Sequence, residues 1–218
     1  MLFRSLAACG DSDSTDGGST SSSTRRTTTS SSSTTVPVDT TTAVFPVGAS
    51  TYETPVEVAA AFATQYVGFT DAIVGAFEPG DARSGEVPVR TTDGGVVTTV
   101  ILRQLDGVHW WVLGASSPNL VLESPTAGTA ITSPVTLRGR STAFEAQIRT
   151  EVRQDGAQPP IGEGTAMGGS MGEMGPFTDV LSFTAPSAPR GAIMLSTRSM
   201  KDGTIAEATV VRIAFAGR

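Results

Sequence analysis

Eighteen of the 24 residues from Ser12 to Thr35 are serine or threonine. Such a polar stretch has almost nothing to bury, so burial cannot offset the entropy that the chain would lose on ordering. We therefore predict a disordered tether over residues 10–50. Treated as a flexible coil, it has an r.m.s. span of roughly 35–40 Å. The globular part must come from the residues that follow.

The chain's one cysteine lies just before this stretch. Leu6-Ala7-Ala8-Cys9 follows a basic residue and a short apolar run, and resembles the bacterial lipobox, in which the cysteine carries a diacylglyceryl group after signal cleavage. Only eight residues precede Cys9, so either translation starts upstream of Met1 or residues 1–9 are a degenerate signal. We expect a lipid on Cys9 to hold the exported protein at the extracytoplasmic face of the cell membrane, because two acyl chains anchor stably.

Charge and composition exclude several classes of function. The formal net charge of −6 argues against broad electrostatic binding of nucleic acid. One cysteine and one histidine cannot form an intrachain disulfide or a Cys/His zinc site. We expect no metal and no cofactor. The lone histidine, His109, lies in a predicted strand, and we do not expect it to act as a catalytic base.

The first folded segment, predicted at residues 51–123, is a small α+β domain. Thr54-Pro55-Val56-Glu57 is a strong helix start, since Thr54 can cap free amides and proline suits the first helical position. An apolar stripe at helical spacing follows and ends near Gly68: Val58, Phe62, Tyr66 and Phe69.

Two strands are predicted later in this segment, at 96–105 and 108–113, joined across Asp106-Gly107. The first strand is apolar on both faces, so we expect the helix on one side and another part of the chain on the other. Trp110 and Trp111 lie in the second strand and must point to opposite faces. They are either core and interface residues or an aromatic platform that contacts a partner.

The second folded segment, predicted at residues 124–217, has the pattern of an antiparallel β-sandwich. Phe144, Ala146, Ile148, Thr150 and Val152 alternate with Glu145, Gln147, Arg149, Glu151 and Arg153, which indicates a strand with one wet face. Further strands are predicted at 134–140, 177–184, 192–199 and 209–215, with turn residues between them. The fold class is therefore mainly β.

Several motifs in this segment occur in a familiar order. They are Ile131-Thr132-Ser133-Pro134-Val135, Gly139, Phe144-Glu145, Gly172-Glu173-Met174-Gly175-Pro176-Phe177 and Ser199-Met200-Lys201-Asp202-Gly203. This order resembles the immunoglobulin-like domain of bacterial spore germination proteins, Gmad2. Trp110-Trp111-Val112-Leu113-Gly114 also looks like the domain that precedes Gmad2 in actinobacterial lipoproteins. The resemblance implies an exported, anchored protein with a non-enzymatic sandwich and no catalytic residues to carry over.

The most glycine-rich segment, residues 162–175, carries interleaved methionines. It has no lysine, so it is not a phosphate-binding loop, and we expect a flexible connection or a bulged hairpin. Flexible methionines on a mobile loop suit an adaptable apolar contact. Met167, Met171 and Met174 are therefore candidate contacts for a partner, together with Trp110 and Trp111.

These observations favour a lipid-anchored envelope module that binds without catalysis. Its expected partners are the membrane, through the anchor, and a cell-wall polymer or another envelope protein. Two alternatives remain. One is a cell-envelope hydrolase, specifically a two-carboxylate glycosidase, which composition alone does not exclude. The other is an assembly factor for exported proteins that uses exposed strand edges.

Overall fold

The computed structural model describes residues 38–157 and 159–217, which belong to one compact unit. The predicted lipid site Cys9 and most of the predicted tether lie outside the described residues. The end of the predicted tether belongs to the fold, because Ala43 and Val44 are buried and the Val44 amide donates to the Val112 carbonyl at 2.8 Å.

The described residues form one short helix and fourteen strands. The first predicted segment contains α1 (Pro55–Ala61), β1 (Ile73–Val74), β2 (Glu78–Asp81), β3 (Ser84–Arg90), β4 (Thr98–Gln104), β5 (Trp110–Ser116) and β6 (Leu120–Ser124). The second contains β7 (Ala130–Ile131), β8 (Val135–Ala143), β9 (Gln147–Gln154), β10 (Gly162–Met167), β11 (Gly169–Ser170), β12 (Gly175–Leu181), β13 (Arg190–Arg198) and β14 (Ile205–Phe215). No helix in these ranges is long and apolar enough to cross a membrane.

The predicted helix start is present. Thr54 caps α1 by accepting a hydrogen bond from the Glu57 amide at 3.3 Å, and Pro55 occupies the first turn. The helix continues as a π-helical turn, Phe62–Val67, and ends at Gly68, whose φ of 92° lies in the left-handed region that favours glycine. Val58 and Phe62 are fully buried, so the predicted stripe faces the core.

One large sheet runs through both predicted segments. Its main strand order is β1-β3-β4-β5-β14-β13-β9-β10, with β2 beside β3 and β7 beside β14. Strands β4 and β5 form the predicted hairpin, and β5 meets β14 at the pair Ala115 and Val210. That the segments on either side of residues 123 and 124 fold independently of each other stays a prediction.

A second, smaller sheet packs on part of the first and completes a sandwich. Its central strand β8 pairs with β6 and with β12, and β11 extends the pairing at the end of β8. The facing part of the large sheet consists of β10, β9, β13 and β14. Each facing layer therefore has four strands, paired antiparallel except for β11, which agrees with the predicted immunoglobulin-like sandwich.

Strand β13 is covered on both faces and separates two hydrophobic cores. Ala192 and Met194 contribute to the core under α1, whereas Ile193 and Leu195 contribute to the core of the sandwich. All four are fully buried, as expected for neighbouring side chains that point to opposite sides of a doubly covered strand.

Two expectations about strand faces are wrong. The strand apolar on both faces was expected to be doubly covered, but in β4 only one face is buried and Ile101 on the other face is 38% exposed. The polar face of β9 was expected to be wet, but Glu151 is buried between Arg149 and Arg153. Arg153 also donates to the Tyr66 carbonyl, so the helical segment covers this end of the face.

The predicted alternation also fails at the start of β9. Phe144 and Ala146 belong to a short 3-10 turn, Phe144–Ala146, and not to the strand. Glu145 and Ala146 have φ values of 57° and 61°, which turn the chain and break the period of two. Phe144 is consequently 66% exposed instead of facing the core.

Candidate functional site

The two tryptophans lie in the interior. Trp110 is 8% exposed and packs edge-on against Phe77, with 5.0 Å between ring centroids. Trp111 is 6% exposed and lies beside the ring of His109. Because both indoles are covered, they do not form an accessible aromatic platform in this structure.

His109 belongs to a turn. Its Nδ1 is 2.5 Å from Oδ2 of Asp106, whose other oxygen accepts hydrogen bonds from the amides of Val108 and His109. Burial acts to raise the pKa of Asp106, but the hydrogen bonds from His109 and the two amides outweigh it and hold this pKa below its usual value. These contacts close the β4–β5 connection.

The three candidate methionines differ in exposure. Met171 is 97% exposed and Met167 is 61% exposed, whereas Met174 is half-buried. Met171 alone among them lines the largest cleft described, which has a volume of about 710 Å³. The structure therefore brings one predicted contact residue to a site whose other residues were not singled out from the sequence.

The walls of this cleft come from connections at one end of the sandwich. They are the β8–β9 connection, the β11–β12 connection, the β13–β14 hairpin and the turn before β6, and they supply these lining residues: Asn119, Thr142, Ala143, Phe144, Glu145, Ser170, Met171, Gly172, Thr197, Arg198, Met200 and Glu207. Phe144, Met171 and Met200, here called the apolar rim, are each more than half exposed.

A buried carboxylate lies among these lining residues. Glu207 on β14 is 4% exposed. It accepts hydrogen bonds from the hydroxyl of Thr197 at 3.0 Å, from the side-chain amide of Asn119 at 3.4 Å and from the hydroxyl of Ser117. All three donors are neutral, and among the residues that the structure describes Glu207 forms no ion pair.

Close backbone contacts shape the wall that carries Met171. A Cβ built at Gly169 would lie 1.9 Å from the Glu173 carbonyl oxygen, so only glycine fits there. The Gly168 amide donates to the Ala146 carbonyl at 2.9 Å and ties this wall to the β8–β9 connection. The glycine-rich segment is thus a set of close contacts, which explains why the sequence repeats glycine here.

The sequence reasoning missed Phe144, Met200 and Glu207. A signal existed for Glu207, because a single acidic residue interrupts the apolar run of β14 and a charge in a buried strand calls for a partner. Phe144 gave no such signal, since its position depends on the left-handed residues that follow it. Within the described ranges, no group of three or more His, Cys, Asp or Glu side chains is placed to hold a metal ion.

Comparison with known proteins gives one family match, which covers less than half of the chain. No curated protein and no solved structure matches the chain significantly. Residues 119–204, which include every cleft-lining residue except Glu207, match the family model Gmad2, described as the immunoglobulin-like domain of bacterial spore germination.

Proposed function

We propose that this protein is a non-catalytic binding module of the cell envelope, and that the cleft at the end of its sandwich contacts the partner. The observation that carries this proposal is the apolar rim, in which three large apolar side chains from three separate connections are exposed around one cleft. Exposed apolar side chains gathered in one place are typical of interaction sites.

The composition of the rim favours an adaptable contact. Met171 and Met200 are unbranched and polarisable, so they can adjust to different apolar shapes. The walls that carry them are held by backbone contacts, such as the bond from Gly168 to Ala146. A backbone that is already ordered has little conformational entropy left to lose on binding.

The family match supports a role without catalysis, since Gmad2 is not a known catalytic family. The cleft does contain two carboxylates, Glu145 and Glu207. Glu145 is exposed to solvent, whereas the general acid of a glycosidase typically lies in a shielded, apolar position, and Glu207 already accepts three hydrogen bonds. A two-carboxylate glycosidase is therefore the weaker hypothesis. Turnover of purified cell wall that Glu145→Gln abolishes would favour it.

The anchor is the second part of the proposal. Cys9, within its lipobox-like residues, carries the lipid, and the Ser/Thr-rich stretch spaces the folded unit from the membrane. Replacing Cys9 by serine in the full-length chain should move the protein from the membrane fraction to the medium. Membrane association that survives this substitution would contradict the anchor.

Crosslinking in intact cells tests the binding surface. A photoreactive amino acid placed at Met171 should give a defined covalent adduct with the partner. The matched control is Val108, which is 61% exposed at the β4–β5 connection and does not line the cleft. A third probe at Val180, 64% exposed on the edge strand β12, tests the assembly-factor alternative. Equal adducts at positions 171 and 108, or none at 171, would contradict the proposed surface.

A further inference from the structure

We propose that the cleft recognises a positively charged side chain, an arginine or a lysine flanked by apolar residues, on an extended segment of a protein partner. This inference rests on the proposed function and names the ligand class of the same site. Its evidence is the environment of Glu207 compared with that of the other buried carboxylate.

Glu151 and Glu207 are equally buried, at 4% exposed, but differ in their partners. Glu151 forms ion pairs with Arg149 at 3.1 Å and with Arg153 at 2.7 Å. Across residues 38–157 and 159–217, no basic side chain forms an ion pair with Glu207. Buried charges are normally paired, so Glu207 departs from the pattern that the rest of the molecule follows.

The basic residue at the cleft is engaged elsewhere. Arg198 donates to the Gly203 carbonyl at 2.7 Å, within the hairpin that joins β13 and β14. With Glu145 also present, the cleft lining contains two carboxylates and one guanidinium. Its charge therefore favours a cationic ligand group over an anionic one.

Glu207 has acceptor capacity left for such a group. A carboxylate offers about four lone-pair positions, and Glu207 uses three of them for Ser117, Thr197 and Asn119. One position remains for an ammonium or guanidinium N–H, and a hydrogen bond between opposite charges is stronger than one between neutral groups.

The apolar rim complements the remainder of a basic side chain. Arginine and lysine have apolar stems that pack on apolar surface while the charged end reaches a polar group. Met171 and Met200 offer that surface, and the ring of Phe144 can lie against a guanidinium. An acyl chain would leave Glu207 without a cation, and a neutral sugar would bring neither the charge nor the apolar surface that this lining matches.

Two matched peptides test the inference on the full-length chain. Acetyl-Leu-Arg-Leu-amide carries the guanidinium, and acetyl-Leu-citrulline-Leu-amide replaces it with a neutral group of the same shape. In chemical-shift titrations we expect the arginine peptide to bind with a Kd of roughly 1 mM. The citrulline peptide should bind about tenfold more weakly. The shifts should include the amides of Asn119 and Thr197.

The variant Glu207→Gln should remove the preference for arginine, whereas Glu57→Gln, the same change on α1 outside the cleft, should retain it. If Glu207→Gln does not fold, Met171→Ser serves instead, because a side chain 97% exposed has little effect on folding. It should weaken both peptides while the arginine preference remains.

No arginine preference, shifts that avoid the cleft, or no binding of either peptide would overturn the inference. An adduct from position 171 to a partner segment without basic residues would overturn it while leaving the proposed function intact. Absence of any adduct at that position would instead count against the proposed function itself.

Discussion

At the residue scale, two arginines connect the N-terminal part of the fold to the strands of the sandwich. Arg212 on β14 donates to both oxygens of Asp155, at 2.5 and 2.7 Å, and to the Thr41 carbonyl at 3.0 Å. Arg153 on β9 donates to the Tyr66 carbonyl and lies 5.2 Å from the centre of the Tyr66 ring. Both contacts join residues far apart in sequence, so no local pattern could have predicted them.

Removal of the Arg212 guanidinium should be costly. We expect Arg212→Met to lower the free energy of unfolding by about 2–4 kcal/mol, because Asp155 would lose its cation in a partly buried position. Urea denaturation measures the change. Arg138→Met, on an exposed position of β8, is the control and should change stability by less than about 0.5 kcal/mol. Equal effects of the two substitutions on the free energy of unfolding would contradict a stabilising role for the contact between Arg212 and Asp155.

Asp106 makes a pH-dependent contribution. Burial acts to raise its pKa, but the hydrogen bonds from His109 and the Val108 amide hold that pKa below the ordinary 3.8. The folded carboxyl therefore stays ionised to a lower pH than the unfolded one, and its stabilisation is present above the ordinary pKa and lost as pH falls through the folded value. The stability difference between wild type and Asp106→Asn should shrink from pH 6 towards pH 3. A stability difference that stays constant between pH 6 and pH 3 would contradict stabilisation by the ionised Asp106 carboxylate.

At the element scale, most of the fold could be predicted from periodicity and turn residues. The Thr54 cap, the β4–β5 hairpin and the strands that became β8, β12, β13 and β14 all follow from local rules. The start of β9 could not be predicted, because Glu145 and Ala146 adopt left-handed conformations that their residue types do not favour. The sequence also could not show which strand is buried on both faces, because this depends on the order of strands in the sheet and not on the strand's own composition.

The same limit applies to the candidate site. Met171 could be singled out from its glycine-rich surroundings, but Phe144 and Glu207 could not be placed beside it. The four connections that line the cleft are separated by many residues, and they meet only because they lie at the same end of the sandwich. Because the site is assembled from several connections, no single stretch of sequence identifies it.

The wall that carries Met171 should tolerate no side chain at Gly169. A Cβ there would lie 1.9 Å from the Glu173 carbonyl oxygen and 2.3 Å from the Gly175 amide nitrogen, so the backbone must shift. We expect Gly169→Ala to cost about 1–3 kcal/mol of unfolding free energy and to alter the chemical shifts of the cleft. Ser170→Ala, one residue along the same strand, adds no atoms and should be nearly neutral. Similar stabilities for both variants would show that this close contact does not constrain the wall.

At the scale of the whole molecule, the large sheet is a shared layer between two cores. Its β13 and β14 strands place Ala192, Met194, Ala208 and Val210 against the helical side and Ile193, Leu195 and Ile213 against the sandwich side. The sequence patterns predict two folded segments, at residues 51–123 and 124–217. They could not predict that these segments share a sheet, because the pairing of β5 with β14 joins residues nearly a hundred positions apart.

A fragment of residues 117–218 tests how far the sandwich depends on the first segment. Without α1 and β3–β5, the apolar face formed by Ala192, Met194, Ala208 and Val210 would be uncovered. We expect this fragment to self-associate or to unfold at lower urea than the 38–218 fragment, which should unfold in a single transition. A monomeric fragment with an unchanged midpoint would instead support two independently folding domains divided near residues 123 and 124.

The central claim is that the apolar rim binds a partner outside the cell. The most direct test is crosslinking from position 171 in a variant that lacks the other two rim side chains. The photoreactive residue stays at position 171 while Phe144 and Met200, both exposed, are replaced by serine. With folding verified by circular dichroism, the account predicts that the adduct formed in the otherwise unchanged chain is lost in this double variant. An adduct of the same size and yield in both backgrounds would contradict it.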